Sequence, residues 1–431
     1  MIPYIHFNMT YPRQILYSAN HIGFLKSFIL APFKKYLSGC GPRGRSKHLV
    51  SDFQSQFVRL TNLSKPLPLS RGRLGLYLFL KSLEGDKGDV LMSPFTIFDV
   101  VNMVLIANKK PIFVDSAGPK TPHLSLSEIK RFKTDSTVAV LITHYHTPNE
   151  EIKQIADYCR NNNIALIEDC AISLGSKISG NHVGSFGDAS FFSFGLFKFV
   201  SVYFGGCLVL NAPAHSLYNS ISTQLSACNS MPLRAMLSYA WKGIKMSILT
   251  SSLLFPFVFR VYRAGFKFKI KAITEMAKND PNPVRLKLLP RSYDYSANDF
   301  QLCEYARQLP TTVLTLSHRL AIYNFYLHML SGLAPYNMYK SFCEPSCINF
   351  PFVADSIAEK YKLISCLMDK GYDVGEYFYR SCNLIPEFQD YRSSCPNLEH
   401  YSSCVVTLPT HTRITPAYAE SLAQCILDFY Q

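Results

Sequence analysis

The chain has 431 residues, 48% of them apolar and 17% charged, with a formal net charge of +14. That composition excludes a disordered polyampholyte and supplies enough apolar material for one large and one smaller domain. The basic balance asks for an anionic partner, be it a phosphorylated metabolite, a membrane surface or nucleic acid, and does not choose among them. Thirteen cysteines are scattered without a CxxC pair or a His/Cys grouping at zinc spacing. The opening MIPYIHFNMTYPRQ is polar and interrupted by proline, unlike a signal peptide. A reducing cytoplasm is therefore the expectation, with the cysteines acting as small buried hydrophobes.

Residues 1–70 read as an irregular lead-in with some helix, closing on the turn-rich KPLPLSRGR. From 71 to 210 the texture is regular. LGLYLFLKSL predicts a helix, DVLMSPF a strand and turn, IFDVVNMVLIANK a helix, and PIFVDS a strand. SLSEIKRF, VAVLITH, EEIKQIADYCRNN and IALIEDC continue as helix, strand, helix and strand. Short apolar strands alternating with amphipathic helices predict an α/β domain with a mostly parallel sheet. Ligands in such sheets sit beyond the carboxyl ends of the strands, where Asp115, His144 and Asp169 fall.

The stretch 211–290 breaks this rhythm. Residues 246–259 (MSILTSSLLFPFVF) carry no charge, yet 231–280 holds nine basic residues against two acidic ones. The uncharged run is too short for an ordinary spanning helix. It suits either an interfacial position on an anionic membrane or a buried helical hairpin packed on a partner subunit, and a groove for an anionic substrate is the third reading. Residues 291–431 predict a long helix over about 299–330, then strand and helix in PFVADSIAEKYKLISCLMDKG. Strand, loop and final helix follow in CVVTLPTHTRITPAYAESLAQCILDFY, together forming a small domain.

The chemistry concentrates between Asp169 and Lys198. Asp169 ends an apolar run, and Ser193 and Lys198 follow a second strand. A carboxylate for a ring nitrogen, a hydroxyl for a phosphate and an amine for an aldehyde are what pyridoxal phosphate requires. An isolated lysine in an aromatic-rich stretch is more often a snorkelling side chain; the company of Asp169 and Ser193 makes the functional reading the stronger one. Glu168, His182 and Asp188 read first as structural hydrogen-bonding groups. His144 and His146 read as loop structure or ring packing, with cofactor or substrate contact as the alternative. They lack a third ligand at sensible spacing, so no metal is expected.

The block IALIEDCAISLGSKISGNHVGSFGDASFFSFGLFKFVSVYFGGCLVL closely resembles the core of the DegT/DnrJ/EryC1/StrS aminotransferases. The matching residues are Glu168, Asp169 and Ala171; Gly184 through Asp188; Ser193 and Phe194; Lys198; and Gly205 and Gly206. The resemblance implies a fold type I pyridoxal-phosphate enzyme, an α/β fold with a large domain built on a mostly parallel mixed sheet and a smaller α+β carboxyl-terminal domain. It extends more weakly over 71–210 and 291–428, leaving the lead-in and the 211–290 insert outside. By the same resemblance, Lys198 forms the Schiff base and carries the proton, Asp169 pairs with the pyridine nitrogen, and Ser193 binds the phosphate. Gly72 and Arg73 stand where the family has a phosphate-binding turn at a helix start, and Ile97, or its neighbour Phe98, stands where an aromatic ring covers the cofactor. His411 and Arg413 are candidates to enter the substrate site from the small domain.

The resemblance further implies a homodimer, a small-molecule amino donor (commonly glutamate) and a keto-sugar acceptor, nucleotide-linked or lipid-linked. Where the family often has glutamine or histidine this chain has Ile172, and Asp294 and Ser296 replace a common Asn-x-Arg. These departures support the alternative of a catalytically degenerate regulator or scaffold. Nucleic acid is not expected as a partner, because no helix-turn-helix or zinc motif accompanies the charge. Peripheral contact with an anionic membrane through 231–280 would add attachment to the inner membrane face to a cytoplasmic location.

Overall fold

The computed structural model describes residues 47–431 except 86, 196–197, 203, 212–214, 230, 233, 236–237, 239–240, 242–247, 250–253, 269, 271–282, 294, 334–342, 373 and 377–378. Helix α1 (Lys47–Thr61) presses Phe53 and Phe57 into the core. Seven strands then build the central sheet: β1 (Leu67–Leu69), β2 (Asp89–Met92), β3 (Lys110–Phe113), β4 (Thr137–Thr143), β5 (Ala165–Asp169), β6 (Ala189–Ser193) and β7 (Gly206–Leu210). Their order is β1-β7-β6-β5-β4-β2-β3, and β7 alone runs against the rest. Strands such as β4 are apolar along nearly their whole length because helices cover both faces of a parallel sheet.

Those covering helices are α2 (Gly72–Ser82), α3 (Phe98–Ile106), α4 (Leu126–Phe132) and α5 (Ile152–Asn161). In α5 the buried residues Ile152, Ile155, Ala156 and Cys159 recur at helical spacing, the pattern that marks the face turned to the sheet. Helix α6 (His215–Ala227) follows the sheet, and α7 (Phe255–Lys267) lies in the basic segment. No helix among the described residues is long and apolar enough to cross a membrane.

The long helix expected over 299–330 is broken. It forms α8 (Asp299–Gln308), a 3-10 turn at Leu309–Thr311, and α9 (Thr312–Met329). Pro310 is the reason, since it has no N–H to donate and its ring collides with the carbonyl four residues back. Beyond it, β8 (Asn349–Val353), β9 (Gly375–Glu376) and β10 (Val405–Pro409) form an antiparallel sheet in the order β8-β10-β9. Helices α10 (Ile357–Asp369), α11 (Pro396–Cys404) and α12 (Pro416–Tyr430) complete the C-terminal region.

Two apolar cores result. One lies around the large sheet, and the second joins Phe350, Leu363, Leu408 and Leu422 with Phe255 and Phe259 of α7. Asp115, just past β3, ties the large sheet to the C-terminal region. Its carboxylate accepts from the N–H groups of Asn397 (3.0 Å) and Leu398 (2.9 Å) in the first turn of α11. A carboxylate is favoured there because it meets unsatisfied donors and the positive end of the helix.

Candidate active site

The adjacent carboxylates that end β5 face opposite ways, as strand residues must, and do different work. Glu168 is fully buried. It accepts from the backbone N–H of Gly184 (2.7 Å), Phe186 (2.8 Å) and Gly187 (2.7 Å), and its Oε2 lies 2.9 Å from His144 Nε2. His144 Nδ1 accepts from the Asn149 N–H (3.1 Å), which places the ring proton on Nε2, facing Glu168. The pair is a hub that pins the 184–187 turn behind the site. Cys170 brings a third potential ligand within 4.8 Å of His144 and Glu168. Both imidazole nitrogens and both carboxylate oxygens already have partners, and burial pushes the Cys170 thiol well up, so this trio is poorly suited to a metal.

Asp169 looks into the site instead. Burial raises its carboxyl to about 6, against the Ala171 N–H that its Oδ1 accepts at 2.9 Å and the nearby charges of Lys198, His144 and Arg73. Lys198 is half-buried in the turn after β6. Burial lowers its ammonium to about 8, while Asp169 works to raise it and Arg73 to lower it further. The structure thus brings Asp169, Lys198 and Arg73, which are far apart in the chain, into one electrostatic group. Arg73 is also ion-paired with Asp99 in the first turn of α3, holding the starts of α2 and α3 together.

The start of α2 sits against the ends of β6 and β7. Gly72 N–H donates to the Gly205 carbonyl at 3.1 Å. A Cβ at Gly72 would lie 2.6 Å from the Phe192 carbonyl oxygen and 3.2 Å from Ser193 Cα, so only glycine permits the approach. No side chain caps this helix, whose N-cap is Arg71. Ser193, Gly72 and Arg73 consequently share one helix N-terminus, which is a ready-made anion site. Ser193 Oγ accepts from the Gly195 N–H at 3.4 Å. Ile97 is half-buried in extended conformation immediately before α3, and Phe98 is buried in that helix's first turn.

Several supporting residues gave no signal in the sequence. Gln308, at the break before Pro310, clamps the lysine turn: Ser201 N–H donates to its Oε1 (2.9 Å) and its Nε2 donates to the Ser201 carbonyl (3.2 Å). Arg319 of α9 lies 5.2 Å over the Phe199 ring while its Nη1 donates to the Ile348 carbonyl (2.7 Å) and Thr410 Oγ1 (3.2 Å). Tyr145 is buried, donates to the Phe95 carbonyl (2.7 Å) and sits close enough to Asp169 to feel its charge. Its position between His144 and His146, directly after a strand, was the one available clue.

Other candidates have structural places. His146 is buried, and burial lowers its ring to about 3. His411 is buried beside Arg319 and Arg413, its carbonyl 3.2 Å from His318 Nε2. Asp188 accepts from the Leu166 N–H at 2.8 Å, as a structural carboxylate should. Burial lowers the half-buried His182 ring to about 4. Ile172 is buried, and the Ser296 N–H donates to the Asn229 carbonyl at 3.0 Å, whereas Asp294 lies outside the described residues.

The DegT/DnrJ/EryC1/StrS aminotransferase family profile matches residues 43–227, the stretch that contains α2, β5, β6 and the lysine turn. This segment is similar to that family's shared region. GDP-perosamine synthase of Escherichia coli O157:H7 is 33% identical over 163 residues, 38% of this chain and 44% of that protein. A putative pyridoxal phosphate-dependent aminotransferase of Bacillus subtilis, EpsN, is 30% identical over 173 residues, again 38% and 44%. The matches thus span less than half of either relative's length. The fold likeness runs further: a DegT/DnrJ/EryC1/StrS aminotransferase from Brucella abortus superposes with a TM-score of 0.70 at 16% identity, covering 95% of this chain and 96% of that one. The fold is therefore that of the aminotransferases of this family across nearly the whole chain.

The residues present fit pyridoxal phosphate. The glycine-made approach at Gly72 leaves an uncapped helix start beside a hydroxyl and a guanidinium, suited to a phosphate. At the other end a buried carboxylate faces an amine held below its usual range.

Proposed function

We propose that this protein is a pyridoxal-phosphate-dependent aminotransferase that moves an amino group from a small-molecule donor, glutamate in the first instance, to a keto sugar carried on a nucleotide or a lipid. The observation that carries this reading is the coupling of Lys198, lowered to about 8, with the buried Asp169 beside the α2 N-terminus. The EpsN match supports the reaction class, and the GDP-perosamine synthase match supports a nucleotide-linked sugar.

When bound, the cofactor supplies an electron sink for the pair left as a proton departs the amino-bearing carbon. Asp169 would keep the ring nitrogen protonated, which its buried position and acceptor geometry favour. Ser193, Arg73 and the α2 start would hold the phosphate. Lys198 would hold the cofactor through Nζ and would take and return the migrating proton. An amine lowered to about 8 suits both tasks, being nucleophilic near neutral pH and basic enough to accept a proton. Gln308 and Arg319 keep the lysine turn in place. A homodimer in the cytoplasm belongs to the same proposal, as does peripheral contact of 231–280 with an anionic membrane.

The test is spectroscopic. Purified protein supplied with pyridoxal phosphate should show the visible band of a lysine-bound cofactor, and glutamate should bleach it toward the amine form. Lys198→Ala should show neither change. Absence of the band in the wild type sinks the aminotransferase reading and favours the degenerate scaffold; a band indifferent to glutamate overturns the donor alone.

A further inference from the structure

Helix α7 has two apolar edges, and one of them is exposed. Phe255 and Phe259 are buried in the C-terminal core. On the opposite edge Leu254, Phe257, Val261 and Phe268 are 40%, 67%, 43% and 70% exposed. Their spacing of three, four and seven residues stacks them along a single stripe. Phe268 follows the last residue of α7 and continues its turn, its N–H donating to the Ala264 carbonyl at 2.9 Å. Exposed Arg260 and Lys267 flank the stripe, while Arg263 reaches back to the Asp369 carbonyl at 3.2 Å and anchors the helix to α10.

We infer that this stripe is an in-plane docking element for an anionic lipid surface. The inference rests on the membrane contact proposed for 231–280 and assigns it to particular residues. Exposed aromatic rings bordered by guanidinium and ammonium groups match the boundary between acyl chains and acidic headgroups. The charge decides the occupant. Exposed Arg260 and Lys267 border the stripe, so a second copy docked on it would set like charges against one another. Helix α7, with 13 residues, is too short to span a bilayer, so its contact lies along the surface. It would place the amino-transferring site beside a membrane, where a lipid-carried acceptor is found.

The chain's single tryptophan, Trp241, is 65% exposed in the same basic segment and serves as a second readout beside co-sedimentation. The full-length protein would be mixed with phosphatidylcholine vesicles containing or lacking phosphatidylglycerol. Co-sedimentation and a blue shift of Trp241 emission are expected with phosphatidylglycerol alone, both weakened by salt. Phe257→Ser combined with Phe268→Ser should abolish binding. Arg260→Gln and Lys267→Gln should each weaken it about fivefold. Each variant should keep the visible cofactor band and its response to glutamate.

Failure of the wild type to bind acidic vesicles overturns the inference, as does undiminished binding by the double serine variant. A change of oligomeric state in that variant, seen by sedimentation, would reassign the stripe to a contact between copies. Vesicle binding by a wild type without the cofactor band would uphold the docking surface and overturn the enzyme reading instead.

Discussion

At the scale of single residues, two groups set the expected pH behaviour. Lys198 attacks as the free amine, so the rate of cofactor uptake by the apoprotein should rise with pH and level off above about 8. An unperturbed lysine would keep rising toward about 10.4. Below about 6 the Asp169 carboxyl of the apoprotein takes up a proton and no longer offers an anion to the ring nitrogen, so cofactor uptake should weaken there. Stopped-flow absorbance across this range separates the two limbs. Asp169→Asn should keep the phosphate contacts yet slow the donor half-reaction by about 10²–10³-fold, the usual cost of one preorganised electrostatic partner. Lys198→Ala should cost at least about 10²–10⁴-fold through loss of the acid–base group alone.

At the scale of elements, the site depends on turns held by side chains from elsewhere. Glu168 satisfies three backbone donors of the 184–187 turn and faces the His144 N–H. Glu168→Ala leaves all of these buried and unmet, so unfolding in urea should show a loss of about 3–5 kcal/mol. The lysine turn hangs on Gln308, which makes two bonds to the Ser201 backbone. Gln308→Leu should cost about 1–3 kcal/mol and speed cofactor dissociation in dialysis, while leaving Lys198 and Asp169 in place. Pro310 explains why Gln308 is available for this: it ends α8 where a continuous helix would have carried the chain past the turn.

At the scale of the whole molecule, sedimentation of the purified protein should give a dimer, and a monomer of unchanged activity would remove the partner subunit from the proposal. Much of the architecture was legible along the chain because its signals are local. The alternation of apolar strands with amphipathic helices over 71–210 predicts the parallel sheet, and the Asp169–Ser193–Lys198 pattern proposes a cofactor site before any contact is known. A proline inside an apolar helical run was weaker as a signal, and the predicted helix over 299–330 proved to be two. Roles that depend on partners distant in sequence were not legible. Asp115 sits at a strand end, where ligands gather, yet its carboxylate caps α11 nearly three hundred residues on. Arg319 covers Phe199, and the apolar 246–259 run ends in a helix with one buried and one exposed edge. Local periodicity specifies which face of an element is apolar. What covers that face, or leaves it to solvent, follows from chain segments that meet only after folding.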